Sequence, residues 1–127
     1  MSIAYWCVLL AAVLPYLTVG LAKARGSYDN ANPRAPDTYR GFALRAHSAH
    51  QNGFEIFPFF AVSVLVASAG SPRVSIALLD GLAITWIALR LAYTGAYLGN
   101  RASLRSIIWI AGFFLTIAIF TMPAWHG

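Results

Sequence analysis

A chain of 127 residues that is 59% hydrophobic and only 10% charged, with a mean hydropathy of +0.65, has far too little charge for a soluble domain of this size. Its single cysteine, Cys7, excludes an intrachain disulfide and reads as a small apolar filler. The formal net charge of +5 has to be accommodated at a membrane surface, and no nucleic-acid partner is expected.

Four apolar stretches follow one another: Ile3–Ala22, Phe54–Ala69, Val74–Leu98 and Ile107–Trp125. A membrane helix needs about 20 apolar residues, which the first, third and fourth supply alone. The second supplies it only if its polar front half belongs to the same helix. The expectation is one all-α domain over residues 1–127, an up-down bundle of four transmembrane helices. The first stretch reads as a retained span and not as a cleaved signal, because MSIAYW carries no Lys or Arg and the apolar run is long. Pro15 frees the carbonyl of Ala11 within it.

The connection ARGSYDNANPRAPDTYRG is rich in Gly, Asn, Asp and Pro and reads as turns. The loop from Lys23 to Arg45 holds Lys23, Arg25, Arg34, Arg40 and Arg45, and the third loop holds Arg101 and Arg105; the second has only Arg73. The bias places loops one and three of a multi-pass membrane protein in the cytoplasm and both termini outside. Tyr5, Trp6 and Trp125 then belong to the outer aromatic belt.

Polar residues are placed where the second helix enters hydrocarbon. Arg45, Ser48, Asn52 and Glu55 are spaced three, four and three apart and share an arc of about 80°. His50 points away from that arc and His47 is intermediate; two imidazoles are too few for a metal site, so no metal is expected. In the third helix Arg90, Tyr93, Tyr97 and Arg101 fall within a similar arc. Arg90 and Glu55 lie at matching depths of about 24 and 20 Å from the outer ends of their helices, which predicts an ion pair between them. Pro58 frees the carbonyl of Phe54 beside it. Asp80 lies near the outer side, with Arg73 as its nearest cation in sequence, and receives no function. Cations, amides, phenols and one carboxylate at a membrane surface suit an anionic ligand that also carries an amine. Glutathione fits, while a phosphate or a lipid headgroup suits the cations equally.

AHQNGFEIFP resembles the second-helix signature of the MAPEG superfamily, the membrane-associated proteins in eicosanoid and glutathione metabolism. RLAYTGAYLGNRASLRS resembles that family's stretch joining helices three and four. KARGSYDNANPR and RAHSAHQNGFEIFPFF together look like a bacterial branch, and the resemblance covers nearly the whole chain. It implies a homotrimer that binds glutathione between adjacent subunits at the cytoplasmic side. By motif, Asn52 and Glu55 would contact glutathione with Arg90 supporting Glu55, Tyr93 and Tyr97 would hold the peptide, and Lys23 would match a basic position ending helix one. Arg105, followed by Ser106, would stabilise the thiolate. Two positions depart from the pattern. Ser48 stands where the better-known synthases have an arginine, for which Arg45 would substitute. The interval from Tyr97 to Arg105 is one residue short, which makes Arg101 the alternative catalytic arginine.

The resulting reading is a membrane glutathione transferase or peroxidase acting on apolar electrophiles delivered by membrane lipid, with glutathione as cosubstrate. One rival is a non-catalytic membrane subunit that supports assembly or binds lipid. The other is a channel or transporter gated by Glu55 and Arg90.

Overall fold

The computed structural model describes residues 1–26, 29–32 and 39–127. Arg34 and the turns expected at 27–28 and 33–38 lie outside them. The described chain is helical: α1 (Ile3–Arg25), α2 (Gly41–Gly70), α3 (Ile76–Leu98), α4 (Ala102–Phe120) and a short α5 (Met122–Trp125). The first four are long and apolar enough to cross a membrane, and the protein is an integral, multi-pass four-helix bundle. Large side chains such as Leu9, Leu17, Ile84, Leu91, Ile107 and Phe114 are turned outward, as they must be where the solvent is hydrocarbon.

The polar front half of the second stretch does belong to one helix. α2 has 30 residues and runs unbroken through Pro58. At 1.5 Å per residue it is about 45 Å long, against about 30 Å of hydrocarbon. The surplus is the polar segment that carries Arg45 and His47, so α2 stands clear of the apolar slab at its N-terminal end.

The fourth helix differs from its expected bounds at both ends. It starts at Ala102, before the apolar run, because the preceding turn is closed by hydrogen bonds and not by hydropathy. Asn100 adopts φ 59°, Arg101 N–H donates to the Ala96 carbonyl (2.8 Å) and Asn100 N–H to that of Tyr97 (3.1 Å). This is a Schellman closure with Asn in the left-handed position, and α4 begins directly after it. At the other end Pro123 has no N–H to continue the ladder. The helix stops at Phe120 and resumes as α5, where the Trp125 indole N–H donates back to the Ala118 carbonyl (3.0 Å).

Side-chain bonds join the helices. Phe60 of α2 stacks on Trp86 of α3 with centroids 3.8 Å apart and planes 4° apart. The Trp86 indole N–H donates to the Thr116 hydroxyl (2.9 Å), which donates to the Gly112 carbonyl (2.8 Å). At the end that holds both termini, the Tyr5 and Ser68 hydroxyls are hydrogen bonded at 2.8 Å. Asp80 finds its partner here too. Its carboxylate accepts the Ala4 N–H at 2.7 Å, capping the first turn of α1; this, not an ion pair with Arg73, accounts for an acidic residue at that depth. At the opposite end the Arg45 guanidinium donates from Nε to the Leu98 carbonyl (3.2 Å), tying the start of α2 to the end of α3.

Candidate functional site

The site lies toward the basic end, where α2, α3 and α4 converge. The α3 face carries Arg90, Tyr93 and Tyr97 one turn after another, a spacing that aligns side chains along a helix. The Schellman turn then brings α4 back so that Arg105, in its first turn, returns over the same face. The result is a ladder of alternating cations and rings. The Arg90 guanidinium lies 4.0 Å from the Tyr93 ring centroid, the two tyrosine rings meet edge-on at 5.8 Å, and the Arg105 guanidinium lies 4.2 Å from the Tyr97 centroid. Such stacking orients each guanidinium plane while leaving its N–H edge available to a ligand.

Two recesses open beside this ladder. A shallow cleft of about 420 Å³ is lined by Asn52, Tyr93, Arg105, Ser106, Trp109 and Ile110. A deeper cavity of about 250 Å³ runs from Asn52, Glu55 and Arg90 down to Trp86, Phe113 and Thr116. Asn52 and Trp109 belong to both. The Asn52 side-chain carbonyl is buried without a hydrogen-bond donor, which is a costly state for a polar atom.

Asn52, Tyr93, Arg105 and Ser106 are therefore brought together at the cleft, as their motif positions imply. Tyr97 stands behind them as the support of Arg105. The others are placed differently. Arg101 is exposed at the N-terminal boundary of α4 and lines neither recess. Lys23 is exposed in the last turn of α1 and does not line the cleft. Arg45 is held on the Leu98 carbonyl. The expected ion pair does not form. Arg90 is buried at 8% exposure over Tyr93, whereas Glu55 is exposed at the rim of the deeper cavity, and no salt bridge joins them. The depths matched, but a helical position fixes depth more tightly than it fixes where a long side chain turns, and the nearer aromatic ring took the guanidinium.

His47 is buried on the far side of α2, between Tyr39 and His50 with ring centroids 5.3 Å away in each case. His50 meets Phe54, which meets Tyr16 of α1. The histidines thus belong to an aromatic row along α2 that meets α1 at Tyr16, and neither lines the cleft.

Trp109 lines both recesses although the motifs do not mark it. Its signal is positional: it lies four residues after Arg105 on α4 and so shares its face.

No solved structure matches the chain. The sequence model of the MAPEG family matches residues 3–125, nearly the whole length, and this membrane-embedded four-helix chain, with its Asn-x-x-Glu helix and its tyrosine–arginine ladder, belongs to the MAPEG family, which includes glutathione transferases and peroxidases.

Proposed function

We propose that the protein is a membrane glutathione transferase or peroxidase that uses the shallow cleft for glutathione and takes apolar electrophiles from the surrounding lipid. The observation that supports this most directly is the placement of Arg105. Its guanidinium is fixed over Tyr97 and faces a cleft that also holds Asn52, Tyr93 and Ser106. A fixed cation beside a thiol favours the thiolate, which is the nucleophilic form, and does so without reorganising during the reaction.

In conjugation, the sulfur forms a bond to the electrophilic carbon, the leaving group departs with the bonding pair, and the thiol proton passes to water. In peroxide reduction, the thiolate attacks the outer oxygen and releases an alcohol. A second glutathione then converts the sulfenate to the disulfide with loss of water. Asn52 supplies an amide to the peptide backbone, Ser106 a hydroxyl, and Glu55 at the adjacent rim a carboxylate for the ammonium. The cleft is open along one side of the single chain, which suits closure by a neighbouring subunit of a homotrimer.

The test is turnover of 1-chloro-2,4-dinitrobenzene with glutathione by the purified chain, together with thermal stabilisation by glutathione. Arg105→Ala should lower kcat by about 10²-fold or more, the scale on which removal of one charge-stabilising donor acts, while Arg101→Ala stays within about twofold. Full turnover in Arg105→Ala with loss in Arg101→Ala moves the role to Arg101. Absence of both turnover and glutathione stabilisation favours a non-catalytic subunit.

A further inference from the structure

A smaller chamber lies between α1, α2 and α3, on the side of Arg90 that faces away from α4. Arg90, only 8% exposed, lines both this chamber and the deeper cavity. Among the described residues its guanidinium makes no hydrogen bond and no ion pair, and its close partner is the face of Tyr93. It lies eight residues, or about 12 Å, in from the end of α3 at Leu98. A cation at that depth needs acceptors for its N–H groups, and a ring face supplies no lone pair.

The chamber collects oxygens that can meet this need. Pro15 has no N–H, so the Ala11 carbonyl loses its helical donor, and Ala11 and Pro15 both line the chamber. Thr94 lines it too. Thr18, Thr85, Thr116 and Thr121 each donate to the carbonyl four residues earlier, but Thr94, alone among the described threonines, makes no such bond. Its hydroxyl keeps its donor for another partner. The Trp86 indole, a further lining group, is already committed to Thr116. No direct hydrogen bond joins Arg90 to Ala11 or Thr94, and polar groups that face one another across such a gap are joined by water. The chamber measures about 20 Å³, above the roughly 10–15 Å³ that one water requires.

We infer that this chamber is a binding site for one buried water, which accepts from the Arg90 guanidinium and the Thr94 hydroxyl and donates to the Ala11 carbonyl. Three bonds is the usual number for a buried water. Pro15 then does more than interrupt a ladder: the carbonyl it releases on α1 becomes the acceptor, one water removed, for the cation on α3. Arg90 in turn carries the Tyr93 ring, which lines the shallow cleft, so whatever fixes Arg90 fixes one wall of that cleft. The inference does not depend on glutathione turnover.

The direct test is an experimental structure of the full chain at a resolution that shows ordered waters. Density should stand about 2.7–3.2 Å from a guanidinium nitrogen of Arg90, the Ala11 oxygen and the Thr94 hydroxyl. A chamber without density overturns the proposal, as does a direct bond from Arg90 to Thr94. Melting temperatures supply a second test. Thr94→Val keeps the shape and removes the hydroxyl; it should lower the melting temperature by about 4 °C. Thr85→Val, at an exposed hydroxyl bonded only to its own helix, should not lower it. In a dry chamber Thr94→Val would replace an unpartnered hydroxyl by a methyl, so an unchanged or higher melting temperature overturns the proposal. In the Arg90→Met background Thr94→Val should cost less than half as much, because the water has lost its cation; equal cost in both backgrounds overturns it. If Arg90→Met does not fold, the density and the single Thr94→Val decide.

Discussion

Asp80 shows how one charged side chain is tolerated inside a span. The four N-terminal N–H groups of any helix lack internal acceptors. Ser2, at the N-cap of α1, makes no side-chain cap bond. The carboxylate of Asp80 reaches across from α3 and takes the Ala4 N–H, so the negative charge sits at the positive end of a helix dipole. Asp80→Ala should cost about 1–2 kcal/mol, the usual worth of a cap, and Asp80→Asn, which keeps an acceptor oxygen, about half of that. Melting temperatures of the two variants check this; equal losses would mean that the hydrogen bond contributes nothing. Arg90 follows the opposite logic. Its charge is buried over a ring, whereas Glu55, which has the complementary charge, is at the rim.

Among the elements, α1 and α2 come into close contact at Gly53. A Cβ built there would lie 2.8 Å from Pro15 Cγ and 3.3 Å from its Cβ, so the pyrrolidine ring of one helix occupies the place of a side chain on the other. Gly53→Ala therefore overpacks the interface, at about 1–3 kcal/mol. Pro15→Ala removes the ring and restores a donor to the Ala11 carbonyl. The double variant should then be more stable than Gly53→Ala alone, since neighbours that share a clash do not add. Thermal melts of both singles and the double decide it: additive losses would place the clash elsewhere. Close by, Tyr16 of α1 meets Phe54 of α2 edge-on, and Phe54 continues along α2 into His50 and His47.

For the whole molecule, charge is distributed by end. Lys23, Arg25, Arg40, Arg45, Arg101 and Arg105 lie at or near the end formed by the first and third loops, while Arg73 stands alone near the termini. From the positive-inside bias we predict that the basic end is cytoplasmic. Alkaline phosphatase fused after Gly127 should be active and a fluorescent protein at the same place dark. The reverse pattern would invert the topology and put the cleft on the outside.

Much of this was determined by the sequence itself. Span number, order and up-down connection follow from apolar runs and short turns, because hydrocarbon allows few alternatives to a satisfied helix. The group of Asn52, Tyr93, Arg105 and Ser106 was legible from motif order, since three and four residue spacings hold one helix face together and the Gly99–Asn100 turn returns the chain to it. What only the tertiary structure decided are the choices among partners at similar depth. Arg90 went to Tyr93 and not to Glu55, Arg45 to the Leu98 carbonyl, and Asp80 to a backbone N–H on another helix. The start of α4 at Ala102 and its stop before Pro123 were likewise decided by backbone hydrogen bonding, to which hydropathy is blind. Helical periodicity sets the face and height of a residue, but a long side chain sweeps several ångströms from either, and its resting place depends on which rings and carbonyls the neighbouring helices bring within reach.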